Sequence, residues 1–163
     1  MQRCIPAVLV GILLAGGSAL QSAEAEKSLY QRLGGQPAVE AVANGLVDRI
    51  LADNRVNKWF AHAAASTENA NAYKAKLATF ICAGVGGPCK YTGLDMVSAH
   101  KGRAVTSEAF DAVAQDLVAQ LDQLKVPAKE KGEVMQIIGS LKPSIVQSGP
   151  VQSGPVHSGS ARN

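Results

Sequence analysis

The chain has 163 residues and a formal charge of +3, with 47% apolar and only 4% aromatic residues. That length argues for one domain. The weak charge and the lack of any Lys/Arg run exclude nucleic-acid binding as a reading of composition.

The first 25 residues have the order of a secretory leader. Arg3 supplies the positive start, Ile5 to Ala15 the apolar run, and Gly16 to Ala25 a stretch of small residues ending in Ala23-Glu24-Ala25. Cleavage is expected after Ala23 or Ala25. The apolar run is shorter than the ~20 residues that span a bilayer, so no stable membrane anchor is expected. Cys4 precedes the run and leaves with the leader. The expected destination is the periplasm or the exterior.

From Ser28 to Val146 the pattern is helical. Ser28 is placed to cap a short helical turn through Leu29, Tyr30 and Leu33, ended by Gly34-Gly35. Pro37 suits the first turn of the next helix. Val39, Val42, Ala43, Leu46, Val47 and Ile50 recur at threes and fours and form its apolar face. Val56, Trp59 and Phe60 make an aromatic corner, with Trp59 read as packing only. Ala61 to Asn71 is polar and alanine-rich and reads as a loop with some helical turns. Tyr73, Leu77, Phe80 and Ile81 form the next face, stopped by Gly86-Gly87-Pro88. Thr106 or Ser107 caps a long helix with Phe110, Val113, Ala114, Leu117, Val118, Leu121 and Leu124 expected inward. Pro127 opens the last helix, with Val134, Ile137, Ile138 and Leu141. No period-two alternation is sustained, so the class is all-α.

The last residues, 147–163, continue a degenerate five-residue repeat begun at Val146: Val-Gln-Ser-Gly-Pro twice, then Val-His-Ser-Gly-Ser. Gly, Pro and Ser at this density bury nothing, so a flexible low-complexity tail is expected. The domain plan is therefore a leader over 1–25, a helical domain over 26–146 and a tail over 147–163.

Cys82 and Cys89 leave two readings open. In an oxidising compartment they can close a short disulfide loop. Alternatively Cys82 is a buried helix cysteine and Cys89 an unrelated loop residue. With no second pair, they do not complete a four-ligand metal site.

Two histidines, His62 and His100, lie in the helical region. His62 falls in the polar loop. His100 stands near the start of a helix, four residues after Met96, between Gly93 and Gly102 and close to Val105 and Phe110. A neutral imidazole there is a suitable iron ligand, its second nitrogen free to donate to a backbone carbonyl. Taken alone, such a histidine is more often a surface or capped residue. Competing chemistries lack their motifs. There is no Gly-x-Ser-x-Gly elbow. The Gly84-to-Lys90 stretch has the wrong spacing for a phosphate loop, and Pro88 removes one of its donors. No Cys-x-x-Cys-His is present for covalent haem attachment.

The stretch from Ser28 to Val146 resembles the group I truncated haemoglobins. The resemblance rests on Ser28-Leu29-Tyr30 with Leu33-Gly34-Gly35, on Leu51-Ala52-Asp53 before the aromatic corner, and on Gly86-Gly87-Pro88 with Tyr91-Thr92-Gly93. Met96 with His100, then Gly102 and Val105-Thr106, complete it. It implies two antiparallel helix pairs sandwiching haem b, with His100 as the proximal iron ligand. It places Phe60 against the haem face, has Phe80, Tyr91, Met96, Val105 and Phe110 lining the ring, and brings Lys76 within reach of a propionate. Tyr73 and Leu77 fall on the distal face.

Two departures from the family stand out. Val47 falls where many members carry a tyrosine, and Leu77 where many carry Gln or Thr. Tyr73 is then the one obvious hydroxyl on the distal side. Its hydroxyl either turns inward as a donor to bound gas or points outward into water, and the cost of a buried, unpaired hydroxyl favours the outward case. The implied function is reversible binding of O2, NO or CO, for oxygen transport or nitric oxide detoxification, with an unidentified reductase as partner. A non-haem helical envelope module that binds a protein partner is the other reading.

Overall fold

The computed structural model describes residues 27–146. The leader over 1–25, with Cys4, and the tail over 147–163, with His157, lie outside the described residues.

Among the described residues seven α-helices follow in chain order: α1 Leu29–Leu33, α2 Gly35–Ala52, α3 Ala61–Ala64, α4 Thr67–Gly84, α5 Met96–His100, α6 Ser107–Gln123 and α7 Ala128–Ile145. A 3-10 turn over Asn57–Phe60 forms the aromatic corner. Among the described residues there is no strand.

Local chemistry explains the boundaries. Ser28 and Gln31 close a reciprocal capping box on α1. Gly34, at φ 107°, ends α1 in the left-handed region, where a side chain would be strained. Ser66 caps α4 by accepting from the Asn69 amide at 3.1 Å. The helix therefore begins at Thr67, inside the stretch expected to be largely loop. Thr106 caps α6, accepting from the Ala109 amide at 3.2 Å.

The long helices form two pairs. α2 packs on α4, α6 packs on α7, and α2 crosses α6. Ion pairs fix α6 and α7 as antiparallel. Asp122, near the end of α6, pairs with Lys131 near the start of α7 at 2.5 Å. Asp111, near the start of α6, pairs with Lys142 near the end of α7 at 2.6 Å. Arg32 links α1 to α7 through Glu130 at 3.1 Å and through Glu133.

The crossing of α2 and α6 depends on Gly45. A Cβ there would lie 2.1 Å from the Gln120 side-chain nitrogen. Gln120 is buried, donates to the Ala41 carbonyl at 3.2 Å and accepts from Arg49 at 3.2 Å. Around it Val39, Val42, Leu46, Ile50, Leu117 and Leu121 build the core.

The end of α4 is a clasp. The Gly87 amide donates to the Cys82 carbonyl at 2.8 Å, and the Tyr30 amide donates to the Val85 carbonyl at 2.8 Å. A Cβ on Gly87 would meet Tyr30 at 2.6 Å and the Cys82 carbonyl oxygen at 2.8 Å, so only glycine allows the chain to double back here. The reversal brings Cys89 to Cys82, and the two form a disulfide with Cα atoms 5.8 Å apart. Of the two readings of these cysteines, the paired one is realised.

Candidate functional site

His100 is the last residue of α5, not a residue near a helix start. α5 is set by its cap. The Asp95 carboxylate accepts from the Ser98 amide at 3.0 Å and from the Ser98 hydroxyl at 2.6 Å. These bonds hold the Asp95 carboxyl below its ordinary range. α5 packs on α7.

The half-buried His100 ring sits with Nδ1 2.8 Å from the Met96 carbonyl oxygen. A carbonyl only accepts, so Nδ1 carries the proton. In the neutral ring the lone pair is then on Nε2, the tautomer needed of a metal-ligating imidazole.

The turn after His100 is tightly held. The Arg103 amide donates to the His100 carbonyl at 3.1 Å. Arg103 Nε donates to the Ala99 carbonyl at 2.8 Å. Trp59 Nε1 donates to the Arg103 carbonyl at 2.9 Å. Trp59 thus does more than pack: it ties the aromatic corner to this turn. Sequence spacing carries no signal for that bond, because its acceptor is a backbone atom.

Across from α5, Phe60 meets Tyr73 edge-on, with ring centroids 5.7 Å apart at 66°. The Tyr73 ring turns onto Phe60, and burial pushes its phenol above the ordinary value, with the Arg103 charge acting the other way. The edge contact offsets part of the desolvation cost that favoured the outward position. Tyr73 as a whole is half-buried.

A second aromatic pair lies further along the same wall. Phe80 meets Tyr91 at 5.2 Å and 74°, and the Tyr91 hydroxyl donates to the Leu94 carbonyl at 3.3 Å. Leu77 and Phe80, with Leu46, Leu117 and Ile138, line an interior cavity of about 50 Å³. Val47 is fully buried. Val105 and Phe110 are buried beyond the His100 turn, and the Lys142 ammonium lies 5.5 Å from the Phe110 ring centre. Met96 is half-buried and Lys76 is exposed on the outer side of α4.

The donor set fits one kind of group. Among the described residues no cluster of three or more His, Cys, Asp or Glu side chains could hold a bare metal ion. A single imidazole presenting Nε2 instead suits a metal that brings its own in-plane ligands, and a flat apolar macrocycle meets that description. Among the described residues no helix is long and apolar enough to cross a membrane.

Comparison with known proteins agrees with this chemistry. The family model described as bacterial-like globin matches residues 28–147. The group 1 truncated hemoglobin GlbN of Mycolicibacterium paratuberculosis is 36% identical over 118 residues, covering 72% of this chain and 83% of that protein. The Synechocystis protein of the same description is 35% identical over 117 residues, covering 69% and 90%. Among solved structures, truncated hemoglobin from Tetrahymena pyriformis in the Fe(III) form superposes with a TM-score of 0.66 at 29% identity, covering 75% of this chain and 100% of that one. The 2/2 hemoglobin from a Synechococcus species, in the cyanomet state with covalently attached heme, gives a TM-score of 0.62 at 33% identity, covering 71% and 94%.

Proposed function

Since the chain belongs to the bacterial-like globins of the group 1 truncated kind, with haem as cofactor and diatomic gases as ligands, we propose that His100 is its single proximal iron ligand and reversible oxygen binding its role. The observation that carries this reading is the 2.8 Å contact between His100 Nδ1 and the Met96 carbonyl, which selects the tautomer with its lone pair on Nε2. The haem iron, when bound, supplies the gas-binding coordination position. The protein's own residues orient the imidazole, exclude bulk water and wall the gas space with apolar side chains. Met96, Val105, Phe110, Phe60, Phe80 and Tyr91 are assigned to the ring's surroundings, and Lys76 to a propionate. A reductase returns oxidised iron to the ferrous state.

We further propose that the protein is exported to the periplasm or beyond and that residues 1–25 are its leader. The Cys82–Cys89 disulfide supports this, since such bonds persist in oxidising compartments.

The test is spectroscopic. The purified protein should be red, with a strong violet absorption band, and His100→Gly should lose that spectrum and regain it when imidazole is added. A normal haem content and an unchanged ferrous spectrum in His100→Gly would refute His100 as the ligand. A colourless protein that takes up no added haem would leave the envelope-module reading.

A further inference from the structure

We infer that the outer face of α5 is the docking surface for an acidic electron-carrier protein that returns the iron to its ferrous state; this rests on the haem reading above and gives its reductase a chemistry. Leu94 is 64% and Val97 59% exposed, the highest values for large apolar side chains among the described residues. Leu124, expected inward, follows at 38% and lies at the C-terminal end of α6. Leu94, Val97 and Lys101 recur at i, i+3 and i+7 along α5 and its two flanks, and all three are exposed. Met96, Ala99 and His100 of the same segment are half-buried. The helix that carries the imidazole on its half-buried side therefore shows two apolar side chains to solvent.

Charge selects the occupant. Between Val85 and Ser107 the chain carries Lys90, Lys101 and Arg103 against a single acid, Asp95. The Asp95 carboxylate is occupied by the Ser98 amide and hydroxyl, at 3.0 and 2.6 Å. Lys90 and Lys101 are exposed and flank the Leu94 and Val97 pair on either side in sequence. Neither joins an ion pair among the described residues. An apolar centre with a cationic rim complements a partner whose small apolar patch is ringed by Asp and Glu. A second copy of this chain would set the same lysines against each other. Two side chains also fall far short of the burial on the order of 1,200–2,000 Å² that a lasting complex needs, and they suit the smaller contact of a transient redox encounter.

The step served is a one-electron transfer. The reduced carrier loses one electron and ferric iron gains it to become ferrous, with no group transferred. A carrier seated on α5 rests on the helix that bears the iron ligand. His100 Nδ1 is tied to the Met96 carbonyl of that helix, and Nε2 keeps the lone pair. Steering by Lys90 and Lys101 acts on encounter, so it weakens as salt screens it.

The experiment uses the haem-loaded protein. The probe is flavodoxin hydroquinone, a small acidic one-electron carrier. Dithionite in about 0.5 M salt, where the charge of a small ion is screened, is the reductant that needs no docking. Reduction of the ferric wild type by flavodoxin should slow by roughly tenfold or more between about 0.02 and about 0.2 M salt. Lys90→Glu with Lys101→Glu should slow it by roughly tenfold at low salt and flatten that dependence. Leu94→Ser with Val97→Ser should slow it by roughly threefold or more and keep the dependence. Dithionite should reduce every variant at the wild-type rate. Amide shifts of the isotope-labelled carbonyl form, titrated with oxidised flavodoxin, should cluster on residues 90–101. Flavodoxin rates unchanged in both double variants overturn the proposal. So do shifts that cluster on another face, and so does equal slowing by dithionite, which marks a changed iron site. A red protein with silent variants would sink this proposal alone, whereas a chain that takes up no haem would sink the parent reading with it.

Discussion

Trp59 and Arg103 are 44 residues apart in sequence and joined by one hydrogen bond, from the indole Nε1 to the backbone carbonyl, at 2.9 Å. That bond ties the corner after α2 to the turn immediately following His100. Two residues of this turn adopt left-handed backbone, Gly102 at φ 74° and Ala104 at φ 50°. A non-glycine residue there is strained and must be held by its surroundings. The strain is tolerated because the turn is pinned at both ends, by Trp59 and by Arg103 itself.

Removing the pin should loosen the His100 turn. Trp59→Phe keeps most of the ring area and deletes only the donor, so it should cost about 0.5–1.5 kcal/mol in urea unfolding. Haem transfer to an acceptor apoprotein should also be faster than in wild type. Unchanged stability together with an unchanged transfer rate would show the bond to be incidental.

Glycines in two helices should respond oppositely to alanine. Gly139 lies within α7 with open space around its Cβ position, so Gly139→Ala should stabilise by about 0.5–1 kcal/mol through helix propensity. Gly45 also lies within a helix, but its Cβ would fall 2.1 Å from the Gln120 amide. Displacing buried Gln120 breaks its bonds to Ala41 and Arg49. That costs about 1–3 kcal/mol against roughly 1 kcal/mol of propensity gained, so Gly45→Ala should be net destabilising. In a double-mutant cycle Gln120→Ala should relieve much of that loss; additive effects would refute the contact.

Much of the frame was readable because glycine and polar caps punctuate it. Gly34-Gly35, Gly86-Gly87-Pro88, Ser28 and Thr106 each mark a boundary where the structure has one. The start of α4 was not readable, because Thr67 to Asn71 has no apolar period and is set by the Ser66 cap alone. The contact of Tyr73 with Phe60 was not readable either. Helical spacing places Tyr73 on a face with Leu77, but a contact with Phe60 arises only once the 3-10 corner has turned toward α4. The pairing of Cys82 with Cys89 was open in sequence because it depends on the reversal at Gly87.

Asp116 on α6 should make stability pH-dependent in an unusual direction. Its Oδ2 is buried, and among the described residues it has no hydrogen-bond partner. Burial raises its pKa above the ordinary 3.8, the Asp53 carboxylate adds to this, and Arg55 and Arg49 oppose it. A raised carboxyl favours the protonated folded form, so the penalty is absent below the ordinary value and grows as pH rises through the folded value. Asp53 behaves oppositely. Its bond from Arg55 lowers its pKa, so its contribution is present above the ordinary value and lost as pH falls through the lowered one. Asp116→Asn should therefore raise the urea midpoint at neutral pH and change it little at about pH 3. An equal gain at both pH values would assign the effect to packing instead.

Export and the disulfide should be read together in one mass. If residues 1–25 are a leader, protein recovered from its native host should begin at Glu24 or Glu26. It should also be lighter by two hydrogens than the reduced form, with Cys82 and Cys89 joined and Cys4 gone. The bond closes a loop between residues seven apart in sequence, so chain entropy gives it about 2–3 kcal/mol of stabilisation. Reduction, or the double change Cys82→Ala with Cys89→Ala, should lower stability by that order, starting with the clasp at the end of α4. Cys82 is fully buried, so the reductant must wait for that clasp to open, and reduction should speed up in mild denaturant. A native protein that keeps Met1 and carries free thiols would overturn both the export reading and the oxidised state.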